Sequence, residues 1–180
     1  KNSLAGKILR VSDSGETTVY SYGHRNPQGL AWDDKGQLWS VEHGPSGGRL
    51  GTGNDEINII KMGANYGWPE IQGDQIKVNM DTPVLNSTPK VAWAPAGMTF
   101  FEGSLYFGGL RGTALYEYKI EEKKLVEHFK GEFGRIREVV LGVDKKLYIT
   151  TSNRDCRGKP DQTDDRIIKV DPKMFNKFLL

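Results

Sequence analysis

One unit occurs three times in this chain: an apolar strand, a tight polar turn, then leucine followed by an aromatic residue. It reads GLAWDDKGQLWSVE from Gly29 to Glu42, GMTFFEGSLYFGG from Gly97 to Gly109, and EVVLGVDKKLYITT from Glu138 to Thr151. The pairs Leu38-Trp39, Leu105-Tyr106 and Leu147-Tyr148 mark the second strand of each hairpin, and a third apolar run follows each time: EINII, ALYEYKI and RIIKV. Side chains alternate across a strand, so a lone sheet of this kind exposes apolar surface on at least one face. Stacking copies of the unit around an axis buries those faces, and the repeat therefore predicts an all-β chain built as blades of a β-propeller. An ordinary antiparallel sandwich is the alternative, which the threefold recurrence disfavours. Propellers close with about four to eight blades. Residues 1–180 are accordingly read as the C-terminal portion of a single propeller domain, about three blades, completed upstream of Lys1 or by a second chain. Its open blade faces are expected to favour self-association.

The rest of the composition narrows the field. No segment keeps a 3.6-residue period over three turns; only the tail DPKMFNKFLL offers a short helix, its start limited by Pro172. With 25 basic and 23 acidic residues the net charge is +2, which gives no case for nucleic acid or an acidic membrane surface. No apolar run approaches the ~20 residues of a membrane span. The single cysteine, Cys156, excludes an internal disulfide or a Cys-based zinc site. The chain starts with Lys1 rather than Met, which leaves an upstream export signal open.

Polar residues cluster where strands begin. HRNPQG places Arg25 and Asn26 just before the first hairpin; Arg135 and Arg137 flank Ile136 before the third and share a face at strand period; Arg111 follows the second in GGLRGT. Blades around one axis would bring these junctions to one end of the ring. Guanidinium groups gathered there suit a ligand carrying several carboxylates, since arginine grips carboxylate as a fork. Solvated surface arginines are the plainer reading. In EHGPSGG, Gly44 and Pro45 form a turn that presents carbonyl oxygens, which are calcium donors, although most such turns are only turns. Elsewhere structure is the better explanation. Tyr66 and Trp68 of NYGWP are expected to pack between blades. Asp55 and Glu56 either bind a cation or cap a strand. EEKKLVEH reads as a charged hairpin tip with His128 at the surface, and RGKPDQTDDR as a solvated loop. SGGRLGTGN (46–54) lacks the following helix of a phosphate cradle.

YGHRNPQGLAW, LWSVEHGPSGG, DEINIIKMGANYGWP and TTSNRDCRGKPDQTDDRIIKV, in that order, resemble the soluble quinoprotein sugar dehydrogenases. This is the glucose/sorbosone dehydrogenase family, and the likeness is greatest to its aldose sugar dehydrogenase branch. The resemblance runs from LAGKILRV to RIIKV and implies a six-bladed propeller that binds pyrroloquinoline quinone (PQQ) beside calcium. Such enzymes oxidise an aldose at its anomeric carbon to a lactone and pass electrons to an external acceptor. They are periplasmic or extracellular. By position, Arg25 matches the arginine beside the quinone oxygens and the sugar's reacting hydroxyl, and Asn26 a cofactor-binding asparagine. Gly44 and Pro45 match the pair whose carbonyls ligate calcium. Arg135 and Arg137 match arginines that bind and cover the cofactor, and Arg135 is expected to face the surface, so that Arg135→Ala weakens quinone binding and leaves the fold intact. Trp93 matches an aromatic at the cofactor's edge, and Arg111 is the cation nearest a lysine of the glucose dehydrogenase branch. The family's general base is a histidine of the N-terminal half; none of His24, His43 and His128 stands in a matching motif, so the base is expected outside this chain. Cys156 stands where the family commonly has glycine. A non-catalytic propeller of the same ancestry, binding a protein or a carbohydrate, is the competing reading.

Overall fold

The computed structural model describes residues 3–45 and 53–178. Among them are four antiparallel sheets and no α-helix. A two-stranded sheet pairs β1 (Lys7–Val11) with β2 (Thr17–Tyr22). Three blades follow. The first is β3 (Pro27–Trp32), β4 (Leu38–Glu42), β5 (Glu56–Ile60) and β6 (Leu85–Asn86). The second is β7 (Pro95–Phe101), β8 (Ser104–Gly109), β9 (Ala114–Lys119) and β10 (Lys124–His128). The third is β11 (Ile136–Leu141), β12 (Leu147–Thr151) and β13 (Ile167–Val170). Each blade runs in chain order from its innermost strand outward, the meander that the repeat predicted. A 3-10 helix spans Pro172–Phe178, at the tail where a short helix was expected.

Local chemistry sets the hairpins. At the first turn Asp33 Oδ1 accepts the N–H groups of Lys35 and Gln37, and its Oδ2 accepts Trp39 Nε1–H at 2.9 Å. The second is a two-residue turn with Glu102 and Gly103 both at positive φ, the geometry that matches strand twist. Beyond the turns, alternation distributes the core. On β4, Trp39 and Val41 face the second blade while Leu38 packs with Ile8, Ile60 and Tyr66 toward β1. On β8, Leu105 and Phe107 face the first blade and Tyr106 faces the third. Both strands are buried at every position, because each blade is covered on its two sides. Full burial of a side chain such as Phe107 or Leu105 contributes about 1.5–3 kcal/mol.

The innermost strands approach closely, with β7 lying against both β3 and β11. Glycine makes this possible: a Cβ on Gly29 would fall 2.7 Å from the Ala96 carbonyl oxygen and 2.7 Å from Met98 Cβ.

Two sequence expectations are corrected here. Of EEKKLVEH, residues 121–123 form the charged hairpin turn as expected, but Lys124–His128 is the fourth strand of the second blade, paired with β9; an outer edge strand tolerates charge on its open side. His128 is not a surface residue. Its Nε2 lies 2.8 Å from Glu117 Oε2, and its ring stacks on Phe175 at 3.9 Å. Tyr66 is buried between β1 and the first blade, as expected, with its hydroxyl donating to the Ile59 carbonyl at 2.5 Å. Of the Gly-rich stretch 46–54, residues 46–52 lie outside the described residues.

Cys156 has φ 65°, a left-handed conformation that costs a side-chain-bearing residue about 1 kcal/mol. Cys156→Gly is therefore expected to stabilise the protein, by up to about 1 kcal/mol in urea unfolding; a destabilised variant would contradict this.

Candidate functional site

The three innermost strands begin at the same end of the blades. Their first residues, Pro27, Pro95 and Ile136, pair with the last residues of the neighbouring strands, Glu42, Gly109 and Thr151. Residues 25–26, 43–45, 93–94, 110–111, 134–135 and 152–155 thus share one rim by topology. Each inner strand is also irregular at its start, with register shifts between Pro27 and Gly29, Pro95 and Met98, and Ile136 and Glu138. Bulges of this kind re-aim side chains and are frequent beside functional sites.

At the first rim segment one buried carboxylate organises the turn. Glu42 Oε2 accepts the backbone N–H groups of Arg25 at 2.9 Å and Asn26 at 3.2 Å. Its Oε1 meets His24 Nδ1 at 3.0 Å and accepts Asn58 Nδ2–H at 3.0 Å. His24 is 1 % exposed, with Nε2 2.8 Å from Ser21 Oγ and its ring stacked on Tyr66 at 4.6 Å. Its imidazole is a buried strut behind the turn, and the turn presents Arg25 and Asn26. Asn26 Oδ1 accepts from Gln28 Nε2 at 3.0 Å. Arg25 lines a small cavity of about 10 Å³ together with Glu42, His43, Gly44, Pro45 and Glu56, and an open one of about 770 Å³ with Tyr22 and Trp68.

The next segment leans on the second blade. His43 Nε2 lies 2.8 Å from the Pro95 carbonyl oxygen. Burial lowers the pKa of His43; Arg25 and Arg137 add to the effect, while the Pro95 bond and Asp55 oppose it. Both arginine charges therefore reach the same imidazole, although they come from the first and third blades. Gly44 donates its N–H to Asp55 Oδ1 at 2.9 Å, and a Cβ there would lie 2.0 Å from the Gly53 carbonyl oxygen, so only glycine fits. Asp55, which the sequence left between cation ligand and strand cap, is here a buried acceptor of backbone N–H groups.

Beside it, burial pushes the Glu56 carboxyl up to about 7, with Glu42 contributing and hydrogen bonds from Asn58 and Gly73 opposing. Its folded pKa exceeds the ordinary 4.5, so the folded state binds the extra proton between about pH 4.5 and 7 and stability falls as pH rises through that window. Glu56→Gln is expected to flatten this slope and to raise the melting temperature at pH 8, as thermal scans across pH would show.

The third segment separates two arginines that the sequence treats alike. Arg135 is buried: Nε donates to the Ser152 carbonyl and Asp155 Oδ2, Nη2 to Asp155 Oδ2 at 2.8 Å, and Nη1 to the Leu110 carbonyl at 3.0 Å. The expectation of a surface-facing Arg135 is thereby corrected, because Leu110 and Asp155 close over it from two blades. Arg137 keeps 45 % side-chain exposure and touches Asp155 Oδ2 and Ser152 Oγ only at 3.2 and 3.3 Å. Arg135 is the largest influence that holds the Asp155 carboxyl down to about 2. Arg111 is exposed and lines a separate cavity of about 430 Å³ with Arg135 and Arg157. Trp93 is 5 % exposed and packs on Phe107 and Tyr116; its main chain stands at the rim, but its side chain lies in the core beneath.

Sequence reasoning missed the supporting carboxylates Glu42 and Asp155. The available signal was a glutamate ending the otherwise uncharged strand LWSVE, beside the motif it holds.

The donor set fits a hard cation and an anionic ligand. With its N–H committed to Asp55, Gly44 has only its carbonyl to offer, and Pro45 has no N–H at all, so this turn presents oxygen alone. No cluster of three His, Cys, Asp or Glu side chains that could hold a metal occurs among the described residues. Arg25 and Arg137 supply positive charge at the same rim. No helix among the described residues is long and apolar enough to cross a membrane.

Comparison with known proteins identifies the family. A model of the family described as glucose/sorbosone dehydrogenase matches residues 2–159. The aldose sugar dehydrogenase YliI of Escherichia coli (strain K12) is 29 % identical over 214 residues, covering 96 % of this chain and 52 % of that protein. Quinoprotein glucose dehydrogenase B of Acinetobacter calcoaceticus is 40 % identical over 84 residues, 40 % of this chain and 16 % of its own length. The solved structure of the PQQ-bound aldose sugar dehydrogenase from Streptomyces coelicolor superposes with a TM-score of 0.84 at 41 % identity, covering 94 % of this chain and 53 % of that one. The chain thus spans about half the length of relatives that it matches nearly end to end.

Proposed function

The chain belongs to the glucose/sorbosone dehydrogenase family, and on that premise we propose that it forms part of a PQQ-dependent enzyme oxidising aldose sugars at the anomeric carbon to lactones. The observation that carries this reading is the shared rim: Arg25 and Asn26, the Gly44–Pro45 turn and Arg137 stand at the same end of the first and third blades, and a binding module has no need of that combination. When bound, PQQ with calcium would supply the electron sink and the Lewis acid. Gly44 and Pro45 would hold the cation through their carbonyl oxygens. Arg137, and the Asn26 side chain, would take the cofactor's polar edge. Arg25 would place a fixed positive charge beside the reacting hydroxyl, at no reorganisation cost because Glu42 has already set the turn.

The three histidines of this chain are all engaged: His24 between Ser21 and Glu42, His43 on Pro95, His128 on Glu117. None of the three stands in a motif that matches the family's base, and on that ground removal of the hydroxyl proton is assigned to a group elsewhere in the enzyme. The family's usual setting points to an exported protein and an external electron acceptor. The partly exposed face of β1–β2, with Val19 and Tyr22, suits association with further blades or with a second copy.

The test is reconstitution. The complete protein, stripped of metal and cofactor, is titrated with PQQ and calcium and assayed on aldoses with an artificial acceptor. Lactone formation dependent on both supports the reading. Tight carbohydrate or protein binding with no turnover would favour the non-catalytic propeller instead. Residues 1–180 alone are expected to bind PQQ weakly and turn over no sugar, since loss of a general base costs about 10²–10⁴ in rate.

A further inference from the structure

Asp55 stands one residue before β5 and is 4 % exposed. Its Oδ1 accepts the Gly44 N–H at 2.9 Å; its Oδ2 accepts the N–H groups of Trp93 at 2.6 Å and Ala94 at 2.8 Å. Its own N–H donates to Ser87 Oγ at 3.0 Å, and its carbonyl accepts the Ser87 N–H at 2.8 Å. One buried residue therefore joins three segments: its carboxylate ties the turn after β4 to the approach to β7, and its main chain holds the segment after β6. Three backbone donors compensate a charge that would otherwise be costly to bury. Ala94 has φ 47°, a left-handed conformation rare outside glycine, and two consecutive N–H groups there form a concave anion seat around Oδ2. His43 adds a second tie between the same segments through the Pro95 carbonyl.

We infer that Asp55 is a positioning residue for a divalent-cation site at Gly44 and Pro45: it draws the Gly44 N–H inward, fixes the turn's two carbonyls against the second blade, and adds a negative charge behind them. The inference rests on the calcium reading of that turn. Geometry and charge act in the same direction, because removing the carboxylate both loosens the turn and withdraws an attraction for the cation. A merely structural clamp would alter melting temperature without altering its dependence on calcium.

The experiment follows melting temperature against calcium concentration, in the complete protein without PQQ, for the wild type, Asp55→Asn and Ser87→Ala. Asparagine keeps the shape but sets an NH₂ group against backbone donors. Ser87→Ala removes the bond to the Asp55 main chain and leaves the carboxylate in place. The expected result is an apparent calcium Kd at least tenfold weaker in Asp55→Asn and within about twofold of wild type in Ser87→Ala. Should Asp55→Asn fail to fold, Asp55→Glu, which keeps the charge and shifts its reach, is expected to weaken calcium to a lesser degree. Equal calcium response in wild type and the Asp55 variants, or equal weakening in Ser87→Ala, overturns the inference alone. A wild type whose melting temperature ignores calcium overturns the calcium reading and the inference with it.

Discussion

Arg25→Ala is expected to lower kcat for aldose oxidation by about 10²–10³-fold. The turn that carries Arg25 is held by main-chain hydrogen bonds: Glu42 Oε2 takes the N–H groups of residues 25 and 26, and an alanine keeps both. The side chain beyond Cβ is lost, from a place where it borders both the small cavity beside Gly44 and the open one beside Trp68. A preorganised charge aimed at a reacting oxygen is worth several kcal/mol in the transition state and little in the folded ground state. Arg25→Lys, which keeps the charge without the fork, is expected to recover part of the loss. Steady-state kinetics in the complete protein, with PQQ titration alongside, separate rate from cofactor affinity. Unchanged kcat in Arg25→Ala would remove this residue from the chemistry.

Arg135→Ala is expected to do the reverse of what its position in the sequence suggests: to destabilise the fold by about 2–3 kcal/mol, seen as a lower midpoint in urea. The side chain is 11 % exposed and its donors are spent on Asp155 and on the carbonyls of Leu110 and Ser152. Truncation would leave those acceptors facing a void between the second and third blades. Arg137→Ala should instead stay within about 0.5 kcal/mol of wild type, because its contacts are long and solvent-exposed, and should weaken PQQ. If both variants unfold at the wild-type midpoint, Arg135 is not the pillar described above.

The recurrent hairpin was readable from residue order alone, because strand alternation and turn chemistry are local. Asp33 with Gly36, Glu102 with Gly103, and the Leu–aromatic pairs each act within a few residues of themselves. The same holds for the turn at Arg25 and Asn26 and for the Gly44–Pro45 pair, whose backbone consequences follow from proline and glycine. The family resemblance added roles to those positions without altering their local logic. Other features depend on groups far apart in the chain. Arg135 and Arg137 lie on either side of Ile136, yet one is buried and the other exposed, because a bulge breaks the register there and the Leu110 carbonyl arrives from 25 residues away. His128 reads as solvated in a run of charges until Glu117 and Phe175 enclose it. Trp93 reads as a ligand-facing aromatic until Phe107 and Tyr116 claim it for the core. No motif in the sequence singles out Glu42 and Asp155, and Asp55 is left there between cation ligand and strand cap, since a carboxylate's role here is fixed by which backbone N–H groups or guanidinium packing delivers to it. Local geometry is written in neighbouring residues; burial and partnership are set by the stacking of one blade on the next.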